Sequence, residues 1–224
     1  MSGAEFTGRA QAYTKTRPGY PKEAMEYIYD LMPQNAVIAD IGAGTGKFTE
    51  MLAVYGNKMY AVEPNADMLA QLAVTLAHFA NVEIIGGSAE ATMLLNSSVD
   101  AITNAQALNW FDIGAFRKEC LRIGKENPLV ITLYNCKKGE INSRYESSTR
   151  ELYKNPLTAE FDNPVYFTKE NWILYLSSMA GVPQPQDAGY EAHIAKTCEA
   201  FDRNSENGLL HLNLVTRVYS ERLG

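Results

Sequence analysis

Cysteine, histidine and tryptophan are scarce in this chain, with three, three and two of them among 224 residues. Cys120, Cys136 and Cys198 are odd in number and far apart. That excludes a disulfide framework and fits no zinc-ligand spacing, so reduced thiols, a cytoplasmic setting and no bound metal are expected. No Ser/His/Asp arrangement is evident. His78 sits in an apolar helical stretch and His211 on a strand, both read as structural, while His193 lies in an aromatic C-terminal half. Positive charge never forms a run, and the net charge is -6. Nucleic acid is therefore disfavoured as the main partner. No apolar run approaches the roughly 20 residues that span a membrane. Met1 to Arg9 is polar and lacks an apolar h-region, so no signal peptide is expected.

What is present is ordinary globular composition, 46% hydrophobic and 21% charged, enough for one domain with a full core. The organising stretch is Val37-Ile38-Ala39-Asp40-Ile41-Gly42-Ala43-Gly44-Thr45-Gly46. It begins as a short apolar run suited to a buried parallel strand and ends in alternate glycines. A helical stretch, Lys47 to Tyr55, follows. Upstream, Phe6, Tyr13, Arg17 and Tyr20 mark residues 1–20 as an arm or a flap over a ligand. Pro21 suits the first turn of a helix carrying Ala24, Tyr27, Ile28 and Leu31.

Strands and helices then alternate. Lys58 to Glu63 reads as the second strand, and Asn65 caps a helix with Met68, Leu69, Leu72, Leu76 and Phe79. Asn81 to Gly86 is a third strand and Val99 to Thr103 a fourth. Asp112 caps a helix to about Ile123, and Pro128 to Tyr134 is a fifth strand. This rhythm predicts an α/β fold, a doubly wound and mostly parallel sheet with helices on both faces. After Tyr134 the rhythm stops. Residues 140–205 read as a mainly helical, aromatic region, with helices from Thr168 to Met179 and Glu191 to Phe201. Gly208 to Tyr219 alternates as an antiparallel strand. The expected organisation is a single domain, 1–224: arm 1–20, cofactor-binding core 21–135, helical substrate-side region 136–205 and terminal strand 206–224. A monomer or a homodimer is expected.

Sheets of this kind bind ligands at the carboxyl ends of their strands. Asp40 to Gly46, Glu63, Ser88 to Glu90 and Asn104 to Asp112 all fall there. The glycine spacing selects among ligands. A dinucleotide fingerprint counted from Gly42 and Gly44 would need glycine at Lys47. A P-loop would need glycine at Ile41 and Ser or Thr at Phe48. Both fail, which argues against a nicotinamide oxidoreductase or a phosphate cradle. What remains is Asp40 followed by Gly42, Gly44 and Gly46. A carboxylate there repels phosphate but suits a cation such as S-adenosylmethionine, which carries an ammonium and a sulfonium. Glu63, roughly 20 residues on, is placed to accept from both ribose hydroxyls.

These residues resemble a class I S-adenosylmethionine-dependent methyltransferase, near the type-11 small-molecule subgroup, from Tyr13 to about Tyr134 and more loosely beyond. The resemblance implies a Rossmann-like fold, with motif one at Val37 to Gly46 and the ribose carboxylate at Glu63. It places the base beside Ser88, Ala89 and Glu90, and the sulfonium beside Asn104, Ala105 and Gln106. Tyr13 and Arg17 resemble a Y-x-x-x-R element that closes over the cofactor and reaches its carboxylate. Ala43, Pro64 and Met68 complete the expected cofactor set. Gln106 to Asp112 resembles a Q-A-x-H-W-F-D stretch in which Asn109 replaces the histidine. Lys125-Glu126-Asn127-Pro128 departs from the usual L-K-P-G-G turn before strand five, a departure expected to be structural. The expected acceptor pocket is Asn109, Trp110, Phe111, Tyr134, Asn135, Tyr145, Tyr166 and Trp172, for a modest-sized, partly apolar small molecule. Direct in-line displacement needs no covalent enzyme intermediate, so no catalytic residue is assigned. A non-catalytic binder of S-adenosylmethionine or S-adenosylhomocysteine is the alternative; methylation of protein or nucleic acid is disfavoured by charge.

Overall fold

The structure, a computed structural model, describes residues 7–140 and 142–224. Phe6, read as part of the arm, lies outside the described residues. The chain opens with helices α1 (Ala10–Thr16) and α2 (Lys22–Leu31). Then β1 (Ile38–Ile41), α3 (Lys47–Ala53), β2 (Met59–Glu63), α4 (Ala66–Leu76), β3 (Val82–Gly86) and β4 (Val99–Ala105) follow. A 3-10 turn (Leu108–Trp110), α5 (Ile113–Ile123) and β5 (Gly124–Lys137) complete the core. Beyond it lie α6 (Ser143–Leu152), β6 (Leu157–Asp162), β7 (Val165–Phe167), α7 (Lys169–Ser177), α8 (Tyr190–Asn204), β8 (Leu210–Leu212) and β9 (Leu214–Arg222).

The main sheet has seven strands in the order β3-β2-β1-β4-β5-β9-β6. Pairings from β3 through β5 are parallel, and β9 runs antiparallel to both β5 and β6. Period-two alternation gives the sheet two apolar faces. Ala39, Ile102, Val130 and Tyr134 meet Phe116 and Ile123 of α5 on one face. Ile38, Ala101, Ile131 and Leu133 meet Ile28 of α2 and Leu52 of α3 on the other. Helix starts are fixed by side chains that satisfy first-turn amides. The Asn65 carbonyl accepts from the Met68 N–H at 3.0 Å, and the Asp112 carboxylate accepts from the Ala115 N–H at 2.9 Å. Strand order reverses between β1 and β4, the switch point where such sheets open a crevice.

Three expectations change. Residues 140–205 are mainly helical, with α6, α7 and α8, but they also hold two strands that were not expected: β6 closes the edge of the main sheet, and β7 pairs with β8 in a second, two-stranded sheet. The terminal alternating run is two strands in different sheets, parted at Asn213. Strand five begins at Gly124, not Pro128. Val99 pairs with Gly124 and Ala101 with Leu129, so Lys125 to Pro128 is a bulge inside the strand rather than a turn before it. Asn127 takes a φ of 51° there. Among the described residues, no helix is long and apolar enough to cross a membrane.

The arm is a helix, held mainly by polar bonds. Arg9 is 7% exposed and donates to the carbonyls of Ser177 (2.8 Å), Met179 (2.7 Å) and Val182 (2.7 Å), at and beyond the end of α7. An arginine placed there satisfies carbonyls that a helix end leaves without donors. Arg9→Ala removes all three bonds, and a charge-assisted bond contributes roughly 1.5–3 kcal/mol. Amide exchange in α1 and at the end of α7 should accelerate about tenfold or more while β1 stays protected. Unchanged exchange in α1, read by mass spectrometry, would count Arg9 out as the anchor.

Candidate functional site

A cavity of about 500 Å³ lies at the switch point. The turn after β1 supplies Gly42, Ala43, Gly44 and Thr45, and the segment from the end of β4 supplies Ala105, Gln106, Asn109 and Trp110. Asn135 and Cys136 come from β5, Tyr145 from α6 and Tyr175 from α7. The arm brings Tyr13, Arg17 and Tyr20 across the opening.

The glycines of the turn do different things. Gly42 and Gly46 have φ of 72° and 87°, and both lie against packed neighbours. A Cβ on Gly42 would stand 2.8 Å from the Ala107 Cβ and 3.1 Å from Phe111. One on Gly46 would stand 2.8 Å from Leu72. Gly44, with a φ of 58°, meets nothing within 4 Å, so its missing side chain leaves open space. Its N–H donates to Glu63 at 2.9 Å, and the Asn65 N–H binds the other Glu63 oxygen at 2.9 Å. Burial raises the Glu63 carboxyl above its usual range, against those two amides. The carboxylate is thus aimed at the turn by backbone alone.

Asp40 lines the cavity yet is 1% exposed. Its two oxygens accept from Thr49 of α3 (2.6 Å) and Thr103 of β4 (3.0 Å). Burial outweighs those bonds and pushes its carboxyl from 3.8 up to about 6. Gln106 holds a φ of 61°, uncommon without glycine, and its N–H bonds to the Leu133 carbonyl at 2.9 Å. The Arg17 guanidinium lies 4.8 Å from the Tyr13 ring and 5.3 Å from the Tyr175 ring, with its Nε 3.0 Å from the Ser178 hydroxyl. Lys47 donates to the Arg17 carbonyl. Asn135 donates to the Gly19 carbonyl at 2.9 Å and accepts from Thr216 at 2.6 Å, while Asn163 also donates to Gly19 at 3.0 Å. These bonds fix Pro18 to Tyr20 against the sheet. Burial pushes the Tyr13, Tyr20 and Tyr145 phenols up, so they present hydroxyl groups at neutral pH.

Of the residues expected around a cofactor, the cavity gathers Tyr13, Arg17, Asp40, Gly42, Ala43, Gly44, Ala105 and Gln106. Gly46 sits behind the turn against Leu72. Glu63, Pro64 and Met68 form the adjoining corner, where Gly8 donates to Asp67 at 2.8 Å and Asn65 donates to Thr7 at 3.2 Å. Ser88 bridges to Ala91, Ala89 is 5% exposed in the core, and Glu90 accepts from the Asp112 N–H at 3.0 Å. Asn104 is fully buried and bonded to Thr132 at 3.0 Å. Of the expected acceptor pocket, Asn109, Trp110, Asn135 and Tyr145 line the cavity. Four others are displaced from it. Tyr134 is covered by Tyr145, stacked at 4.0 Å, and Phe111 packs on Phe116 at 4.9 Å. Trp172 packs against Phe167 and Tyr175, and Tyr166, 61% exposed, stacks on His211. Lys47, Arg144, Tyr175 and Ser178 were not anticipated. Lys47 had a signal, its position directly after the third glycine; the others are brought in by tertiary folding.

Gly42→Ala should cost about 2–4 kcal/mol through clash and positive φ, whereas Gly44→Ala should cost only about 1 kcal/mol of backbone strain. Urea unfolding of both variants checks the order, and equal losses would refute the division of roles. A raised carboxyl contributes stability that is full below pH ~4 and lost as pH rises through about 6. From pH 4 to 7.5 the wild type should therefore lose about 3 kcal/mol relative to Asp40→Asn. Parallel pH profiles for the two proteins would show that Asp40 is not the group responsible.

The groups at the turn suit a cationic nucleoside better than a pyrophosphate: two buried carboxyl groups, Asp40 and Glu63, which accept, and open space over Gly44. Known proteins agree with that chemistry. A family model described as methyltransferase domain matches residues 39–132. An uncharacterized methyltransferase-like protein of Schizosaccharomyces pombe is 35% identical over 126 residues, 55% of this chain and 48% of that one. An uncharacterized methyltransferase of Mycobacterium tuberculosis is 36% identical over 118 residues, 53% and 46% of the two chains. The chain spans about half the length of the curated relatives it matches. Among solved structures, a candidate type II methyltransferase from Anaeromyxobacter dehalogenans superposes with a TM-score of 0.67 at 21% identity, covering 92% of this chain and 97% of that one. Geranyl diphosphate C-methyltransferase from Streptomyces coelicolor, solved with Mg2+, geranyl diphosphate and S-adenosyl-L-homocysteine, gives 0.52 at 14% identity, covering 90% and 77%. Those two likenesses carry the fold, and residues 39–132 are the segment in which the chain is similar to methyltransferases.

Proposed function

We propose that this protein transfers a methyl group from S-adenosylmethionine to a small-molecule acceptor by direct in-line displacement. The observation that carries the reading is the single cavity joining the glycine turn to the loop after β4. Bound there, the cofactor supplies a methyl group already activated by a positively charged sulfur. Gly44 leaves room for the ligand, and Glu63, aimed by the amides of Gly44 and Asn65, takes the ribose hydroxyls. Asp40 gives the amino-acid end of the ligand an acidic neighbour, and Arg17 sits within the cavity to meet a carboxylate. The work left to the chain is alignment and exclusion of water. Tyr13, Tyr20, Tyr145 and Tyr175 wall the space with rings, and the raised phenols of Tyr13, Tyr20 and Tyr145 keep their protons at neutral pH. A second reading, a non-catalytic binder, is favoured by one residue. Asn109 stands where the resembling families carry histidine, and its buried Oδ1 has no hydrogen-bond partner among the described residues.

Calorimetric titration with S-adenosylhomocysteine, S-adenosylmethionine and NAD tests the cofactor. Both adenosyl ligands should bind and NAD should not, and Glu63→Ala should weaken binding about tenfold or more. Silence with both adenosyl ligands together with a response to NAD would sink the reading. Methyl release over a panel of acids, phenols and amines then separates the two functions: turnover of any member supports transfer, and binding without turnover favours the non-catalytic protein.

A further inference from the structure

The charges lining the cavity do not balance. Its cations are Arg17, Lys47, Lys137 and Arg144, and its acids are Asp40 and Glu140. Lys137 and Glu140 pair with each other at 3.3 Å. Asp40 already accepts from two threonine hydroxyls. Arg17, Lys47 and Arg144 have no ion-pair partner among the described residues. Three cations without an ion pair around one cavity are notable in a chain whose net charge is -6.

The cations fall into two groups. Lys47 bonds to the Arg17 carbonyl, so these two sit together beside the glycine turn. Arg144 comes instead from α6. Its guanidinium lies 4.3 Å from the Trp110 ring centroid, and its neighbour Tyr145 also faces the cavity. A guanidinium lying over an indole is held in place and keeps its N–H edge for a ligand. That edge matches the two oxygens of a carboxylate or phosphate. Met179, Leu212 and Leu214 add apolar wall to the same cavity. The aromatic faces a cationic acceptor would seek, those of Tyr13, Tyr175 and Trp110, already lie against arginines.

Resting on the methyltransferase reading, we propose that the acceptor is a small organic anion with an apolar body, whose carboxylate or phosphate is held by Arg144 against Trp110. Arg144 thereby selects anionic acceptors over their neutral and cationic counterparts.

The test uses the protein saturated with S-adenosylhomocysteine, at constant ionic strength. Thermal shift is measured with phenylacetate, hexanoate and phenyl phosphate against phenylacetamide, hexanamide and benzylamine. At least one anion should stabilise the protein, its uncharged or amine counterpart should not, and the ranking of phenylacetate and phenyl phosphate separates carboxylate from phosphate. Arg144→Met should lower the apparent affinity for that anion about tenfold or more while leaving S-adenosylhomocysteine affinity unchanged. Arg144→Lys, which keeps the charge and loses the fork, should recover only part of it. Equal response to amides, an unaltered response in Arg144→Met, or no response to any anion overturns the proposal and leaves methyl transfer standing. Failure to bind S-adenosylhomocysteine overturns both.

Discussion

The structure depends on a carboxylate held out of water. Asp40 interrupts the apolar run of β1 and receives hydroxyls from Thr49 on α3 and Thr103 on β4. One side chain therefore ties together the strand, the helix and the neighbouring strand that meet at the switch point. Burial of that group costs free energy, as its raised pKa records. The same burial makes it a focused negative site beside the glycine turn, in surroundings where charge is poorly screened. Glu63 repeats the arrangement one strand away, with backbone amides in place of hydroxyls. The glycine turn is thus suspended between two carboxyl groups, with Gly42 packed on Ala107 and Gly46 on Leu72.

Charge in the cavity is sorted rather than spread. Of the two acids in the lining, Asp40 belongs to β1 and Glu140 pairs with Lys137, while the cations without an ion pair come from the arm, the start of α3 and α6. Asp40, Lys47 and Arg17 line the same cavity, so it presents both signs of charge. Arg144, over the Trp110 ring, has no ion-pair partner among the described residues.

The parallel core was legible because its signals are local. Strands β1, β2 and β4 are short apolar runs, and Asn65, Asp112 and Thr168 each announce a helix that the structure contains. Strands β6 and β7 were missed because an edge strand is half wet. Leu157 is 63% exposed, so the alternation of Leu157, Ala159 and Phe161 carried little hydrophobic weight. The site divides in the same way. The glycine turn and the loop after β4 are contiguous in sequence, whereas Arg17 meets Ser178 across 161 residues and Asn163 meets Gly19 across 144. No periodicity encodes such meetings. Aromatic content also cannot say which face a ring takes: Tyr134 turns into the core and is covered by Tyr145, while Asn135 beside it turns to the cavity.

The two halves of the site are held by different forces. The glycine turn rests on packing: Phe48 and Leu52 of α3 are buried, and side chains of that size each contribute about 1.5–3 kcal/mol when removed from water. The arm rests on hydrogen bonds. In α1 only Ala10 and Thr16 are buried, and its anchors are Arg9 and Arg17 to the end of α7, with Asn135 and Asn163 on Gly19. Breaking such a bond toward solvent exchanges it for one to water, at a net cost of about 0.5–1.5 kcal/mol, or up to about 3 where an arginine donates. The glycine turn is thus set by the buried core, and the arm, which carries Tyr13, Arg17 and Tyr20 to the cavity, is set by bonds between segments far apart in sequence.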